Sequence, residues 1–302
     1  MKFDRRSLLM AGALVALAGC SSANPVTGAS SGSGASKQGL VVGSQQYYSN
    51  EIIAELYAQR LETSGFTVTR QYQIGQREVY LPEMEAGRID VMPEYSGNLL
   101  QYYDKTATGT DPASVHSQLA AALPKSLRVL DAAEATDQDS YTVTHASADQ
   151  YGLTSIGDLT KLGRVIKVAA NSEFASRPYG PKGLESVYGV QATVVGVEDS
   201  GGPLTVKALT DGSVDAADIY TADPVIGIDN LVVLDDPKHL ILPQNVTPLV
   251  TGSVDQEAAA AIDSVSAKLT TDQLRALNAQ STTKQQKSSD IAKAWLADHG
   301  LG

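Results

Sequence analysis

The chain has 302 residues, 42% of them hydrophobic and 19% charged, and a formal net charge of −11. Such an excess of carboxylates makes nucleic acid and anionic lipid surfaces poor partners. The single cysteine excludes a disulfide framework and a cysteine-based metal site, and 13 tyrosines against 3 phenylalanines favour aromatic surfaces with a polar tip.

Residues 1–19 read as an export signal. Lys2, Arg5 and Arg6 form a basic start, Leu8 to Ala18 an apolar run too short to span a bilayer, and Leu17-Ala18-Gly19 precede Cys20. Those small residues resemble a bacterial lipobox, in which the cysteine is lipidated and becomes the new N-terminus, so Cys20 is the expected anchor. Asp4-Arg5-Arg6-Ser7-Leu8-Leu9 also resembles a twin-arginine motif, and both export routes stay open. From Cys20 to residue 38 the chain is rich in Ser, Gly and Ala and reads as a tether with a reach of about 20 to 25 Å.

Short apolar strands then alternate with helices: Leu40 to Gly43, helix Ser49 to Ser64, Thr67 to Gln71, helix Arg77 to Ala86, Asp90 to Met92. The pattern resumes with Ser140 to Thr144, Val165 to Ala169, helix Gly180 to Tyr188, Thr193 to Val197, helix Gly201 to Thr210, Asp215 to Ile219 and Leu231 to Leu234. Three helices starting near Asp255, Thr271 and Ser288 complete the chain. This is an α/β pattern.

One local segment occurs twice, 125 residues apart. Gly87-Arg88-Ile89-Asp90-Val91 runs on to Tyr95-Ser96, and Gly212-Ser213-Val214-Asp215-Ala216 runs on to Tyr220-Thr221. Each reads as a helix stopped by glycine, a short strand, then a tyrosine and a hydroxyl residue beyond the strand's C-terminal end. Ligands of open α/β sheets sit at that end, so the repeat predicts two lobes, each offering a Tyr and a Ser or Thr to a shared cleft.

Tyr95 and Tyr220 would face each other across it. Arg177 lies in a loop opening onto the same place, where Pro178 discourages helix, and Tyr141 falls where the chain crosses between lobes. A quaternary ammonium has no N–H to donate and is held by aromatic faces within about 6 Å, while a carboxylate is best met by the guanidinium fork. Three tyrosines and an arginine therefore suit a zwitterion carrying one group of each kind.

Residues 40–300 resemble the substrate-binding proteins of osmoprotectant ABC importers, the glycine betaine, choline and carnitine binders of the two-lobed type II periplasmic-binding fold. The resemblance rests on Val41-Val42-Gly43-Ser44, Pro93-Glu94-Tyr95-Ser96-Gly97, Tyr151-Gly152-Leu153 with Ile156-Gly157-Asp158-Leu159, Glu173-Phe174-Ala175-Ser176-Arg177-Pro178, Tyr220-Thr221-Ala222-Asp223, and Leu234-Asp235-Asp236 before Leu242-Pro243. It implies that Tyr95, Tyr141 and Tyr220 line an ammonium cage and that Arg177 holds a carboxylate. It also implies capture outside the cytoplasm, delivery to an ABC permease by a membrane-anchored monomer, and no metal, nucleotide or redox cofactor. Three positions depart from the family: Gln45 stands where a lysine commonly follows Gly43-Ser44, Asn98 where threonine commonly follows Tyr-Ser-Gly, and Asn245 where a fourth cage tyrosine is expected. Gln45, Asn98 and Asn245 therefore join the candidate ligand-binding residues, and choline, carnitine or ergothioneine stays open beside glycine betaine.

The expected lobes are residues 40–138 with 246–302, and residues 143–241, joined by hinges near 139–142 and 242–245. An enzyme on this fold has little to work with, since residues 40–302 carry no Gly-x-Ser-x-Gly elbow, no His-Glu-x-x-His and no cysteine nucleophile. His116, His145, His239 and His299 lack metal-ligand spacing. A sensor or scavenger domain would bind in the same way as a transport subunit. A polyamine or amino-acid binder would need acceptors at the cleft, and Glu94, Asp139, Asp218 and Asp223 lie beside it in sequence.

Overall fold

The computed structural model describes residues 37–228 and 230–302. The expected export signal and Cys20 lie outside the described residues. Among the described residues ten strands are present: β1 (Lys37–Gly43), β2 (Phe66–Gln71), β3 (Val91–Tyr95), β4 (Leu127–Val129), β5 (Thr142–Thr144), β6 (Ile166–Ala170), β7 (Ala192–Gly196), β8 (Ala216–Ala217), β9 (Leu231–Val233) and β10 (Val246–Thr251). They form two five-stranded sheets, ordered β2-β1-β3-β10-β4 and β7-β6-β8-β5-β9.

The two sheets share one plan. Three parallel strands come first, β2-β1-β3 in one and β7-β6-β8 in the other. An antiparallel strand follows, β10 or β5, and in each sheet it is the strand laid down immediately after the chain has crossed from the other sheet. An edge strand, β4 or β9, pairs antiparallel with that insert. Antiparallel insertion lets a crossover end directly in a ladder, where a parallel strand would need a further connection of a dozen or more residues.

The insert β10 contains Pro248 and its neighbour β3 contains Pro93, an unusual residue for central strands. Their register explains the tolerance: Pro248 and Pro93 lie opposite each other in a pair whose backbone groups point away from one another, so neither missing N–H interrupts the bonds between the two strands. Each proline carbonyl points away from the other and is used elsewhere, Pro248 accepting from Leu130 N–H at 2.9 Å and Pro93 from the Asn50 side chain at 3.0 Å.

Helix Tyr48–Thr63 is sandwiched between the first sheet and the C-terminal helices Gln256–Ser266, Thr271–Thr282 and Ser288–Asp298. Its residues from Ser49 to Ala58 are buried on nearly every side, apart from Glu51, so it lacks the polar stripe of an ordinary surface helix. The one carboxylate it buries, Glu55, is met bidentately by Arg70 and by the Tyr72 hydroxyl. Helices Ser96–Tyr103 and Pro112–Ala122, absent from the sequence expectations, cover the other end of the first sheet around Leu99, Leu100, Val115 and Leu119. The second sheet has its own cores, one around Tyr141, Val168 and Leu184 and one around Val206, Leu209 and Ile219.

Candidate functional site

The repeat places its parts in corresponding positions. Gly87 and Gly212 both adopt positive φ, +70° and +77°, and stop the preceding helices. Asp90 N–H donates to the Val41 carbonyl while its carboxylate accepts from Val41 N–H; Asp215 repeats both bonds with Lys167. The aspartate thus caps the neighbouring parallel strand, and Tyr95 and Tyr220 emerge beyond it at the strand ends.

The hydroxyl residue that follows does not line the cleft, as the sequence had suggested it would. Ser96 N–H donates to the Asn245 carbonyl, and Asn245 N–H donates back to Ser96 Oγ. Thr221 N–H donates to the Gln138 carbonyl, and Gln138 N–H donates back to Thr221 Oγ1. Each hydroxyl therefore clamps one of the two crossovers. Gly97 is fixed by the same packing, since a Cβ there would come within 2.6 Å of the Pro243 carbonyl oxygen.

Between the sheets lies a narrow cleft, lined by side chains from both. Gln45, Tyr95, Asn98, Arg177 and Tyr220 line it, as does Tyr47, which the sequence reading passed over. The Tyr47 ring stacks on Tyr95 at 6.4 Å and meets Tyr220 at 5.1 Å, so three tyrosines form one aromatic wall running from the first sheet to the second. Burial raises the pKa of all three hydroxyls, which keeps the rings neutral. Phe174 and Tyr179 add aromatic surface on the second-sheet side, their rings edge to face at 5.6 Å. Tyr47 could have been found by the rule that found Tyr95, since it follows the C-terminal end of a parallel strand.

Two of the seven expected residues stand outside this lining. Tyr141 packs edge to face behind Phe174 at 5.8 Å and donates its hydroxyl to the Tyr179 carbonyl, so it supports the cleft aromatics from within the second-sheet core. Asn245 turns its side-chain amide to the carbonyls of Ala133 and Glu134 and is spent on the return crossover. Asn98 lines the cleft and also ties both crossovers: its amide nitrogen donates to Asp139 at 2.6 Å and its oxygen accepts from Gln244 at 2.7 Å, while Gln244 accepts from Asp139 N–H.

The polar lining is mixed in sign. Pro178 holds Arg177 extended at φ −69°, ψ 149°, ending the turn Ser172–Ser176 and turning the guanidinium across to Glu78 at 2.9 Å. Arg77 makes a two-pronged, fully buried pair with Glu94, which also accepts from Tyr80. Asp137, Asp139, Asp218 and Glu173 also reach the cleft. Burial pushes Asp137 up to about 7 against hydrogen bonds from Ser49 and Ala222 N–H. Burial, then the charge of Asp139, raises Asp218 well above an ordinary carboxyl. Among the described residues no group of three or more His, Cys, Asp or Glu is placed to hold a metal ion.

The family described as the substrate-binding domain of ABC-type glycine betaine transport systems matches residues 38–298. The chain belongs to this family. Its members are the extracytoplasmic binding subunits of ABC importers, which bind quaternary-ammonium solutes and work with a membrane permease; it is a family of transport proteins, with no enzymatic role. The chain is 26% identical over 277 residues to the glycine-betaine-binding protein of Pseudomonas aeruginosa, covering 87% of this chain and 88% of that one. It is equally similar, over 277 residues, to the Escherichia coli glycine betaine-binding protein YehZ, covering 86% and 90%. A crystal structure of a glycine betaine/carnitine/choline ABC transporter shares the fold with a TM-score of 0.69 at 21% identity, covering 87% of this chain and 99% of that one. The type II periplasmic-binding architecture, two α/β lobes about a cleft, is thus that of the family. Among the described residues no helix is long and apolar enough to cross a membrane.

Proposed function

We propose that this chain captures a small quaternary-ammonium compound against the Tyr47, Tyr95 and Tyr220 wall and hands it to an ABC permease. The wall carries the reading, because it joins rings from both sheets in one cleft, and a cation that cannot donate N–H hydrogen bonds gains most from such faces. Residues 40–138 with 246–302 and residues 143–241 act as the lobes, hinged near 139–142 and 242–245. A ligand touching both Tyr95 and Tyr220 stabilises the closed form, since only that form uses both faces. The mature protein works as a monomer held at the outer face of the membrane through Cys20. Glycine betaine, choline and carnitine are the candidate ligands, in keeping with what the relatives and the similar structure are named for, and ergothioneine stands beside them.

A second reading has a specific observation behind it. Asp139 and Asp218 reach the cleft and could accept hydrogen bonds from an amine such as a polyamine, whereas Glu94 is taken by Arg77 and Tyr80, and Asp223 accepts from Tyr48. Calorimetric titration with choline, glycine betaine, carnitine, ergothioneine and spermidine separates the two. Binding of a quaternary amine that is lost in Tyr220→Ala supports the first reading, and binding of spermidine alone supports the second.

A further inference from the structure

The charges of the cleft do not balance. Both guanidinium groups that reach it are already paired to carboxylates of the protein itself: Arg77 is locked to the buried Glu94, and Arg177 reaches from the second-sheet side to Glu78 on the first-sheet helix Arg77–Glu85. The Arg177 contact is forked, with its two terminal nitrogens 2.9 and 3.4 Å from the two Glu78 oxygens. The Arg177 side chain is only 11% exposed while that of Glu78 is half exposed, so Glu78 supplies from the rim the charge that the largely buried arginine requires. Neutral amides add donors without charge: the side-chain nitrogens of Gln45 and Gln76 are buried, line the cleft and have no acceptor in the protein. Against these compensated cations stand Asp137, Asp139 and Asp218, all buried.

We infer that Glu78 is a specificity-determining residue. By occupying the fork of Arg177 it removes the cleft's carboxylate counter-charge, so that the site favours a ligand of net positive charge over a zwitterion with the same ammonium head. A carboxylate entering beside Arg177 meets a guanidinium already neutralised and a second carboxylate a few bonds away. A hydroxyl entering there meets the Gln45 and Gln76 amides, which need an acceptor and carry no charge. The cationic head meets tyrosine faces and the carboxyl groups of Asp137 and Asp218, whose burial disfavours their charged form until a counter-ion arrives, so the head and these two groups satisfy each other.

This inference rests on the quaternary-ammonium reading and goes beyond it to the choice among such ligands. Choline and glycine betaine test it, because they share the trimethylammonium head and differ in a hydroxyl against a carboxylate. Their dissociation constants are measured by calorimetry on the wild-type protein, Glu78→Gln and Glu78→Asp. The ratio of the two constants is the readout, since any general loosening of the cleft when the Arg177 bond is cut affects both ligands and cancels. Wild type is expected to bind choline about tenfold more tightly than glycine betaine. Glu78→Gln is expected to move the ratio about tenfold toward glycine betaine, and Glu78→Asp, which keeps the charge, to stay near wild type. A wild-type preference for glycine betaine, a ratio unmoved in Glu78→Gln, or one moved toward choline overturns the inference while leaving the quaternary-ammonium reading intact. Silence of the wild type toward both ligands overturns this inference, and silence toward carnitine and ergothioneine as well overturns the quaternary-ammonium reading with it.

Discussion

Asp90 and Asp215 do the same work at corresponding places, each capping the parallel strand beside it through a pair of backbone bonds, and Ser96 and Thr221 each clamp one crossover. Glu94 and Ile219 are also 125 residues apart and do opposite things. Glu94 is a buried carboxylate answered by Arg77 and Tyr80, whereas Ile219 is fully buried among Val206, Leu209 and Val214. The repeat thus preserves the backbone devices that aim a tyrosine into the cleft and hold the crossovers, and leaves each lobe free to fill the space behind in its own way. Polar filling brings Arg77 to the cleft beside Glu94 in the first lobe; the second lobe's cleft arginine, Arg177, comes instead from the loop after β6.

Cutting the polar filling is expected to have the largest effect. Arg77→Ala leaves Glu94 buried without its counter-charge and should cost about 3–5 kcal/mol, whereas Ile219→Val in the second lobe should cost about 0.5–1.5 kcal/mol by loss of packing alone. Urea unfolding of both variants checks the contrast, and equal losses would erase it.

Asp137 sharpens the comparison through pH, because its carboxyl lies at the junction, bonded by Ser49 on the first side and by Ala222 N–H on the second, with Asp139 and Asp223 close by. Its folded pKa of about 7 stands above the ordinary value of 3.8, so the stability it contributes is full below about pH 4 and is lost as pH rises toward 7. The slope should reach at most about 1.4 kcal/mol per pH unit within that window. Thermal unfolding from pH 4 to 8 should show the slope in the wild type and a flatter profile in Asp137→Asn.

The smallest effects concern the shared device. Asp90→Ala removes the acceptor for Val41 N–H and for the Thr251 hydroxyl in a buried setting and should cost about 1–3 kcal/mol. Asp215→Ala removes a more exposed pair with Lys167 N–H and Arg164 and should cost about 0.5–1.5 kcal/mol. A reversal of that order would mean that burial does not set the strength of the device.

Much of this was legible in sequence because it is periodic or local. The βα alternation, the glycine stops and the 125-residue offset led to two sheets of one plan and to Tyr95 and Tyr220 at their ends. The strand Val246–Thr251 was hidden by Pro248, whose acceptability depends on a register with a distant strand that turns its missing N–H away from β3. Tyr141 and Asn245 could not be placed, because whether a polar side chain turns to the cleft or to a backbone carbonyl is decided by partners far off in sequence, here Tyr179 and Ala133. The pairing of Arg177 with Glu78 spans 99 residues and two lobes, and no local pattern signals it.

The most direct test is a calorimetric titration of the protein with tetramethylammonium, which offers the quaternary head and nothing else. Saturable binding that is lost in Tyr220→Ala and weakened in Tyr47→Ala is the expected result, with a change of several tenths to a few kcal/mol for each ring removed. No heat with tetramethylammonium, alongside firm binding of spermidine, would contradict the aromatic wall as the ligand-holding element.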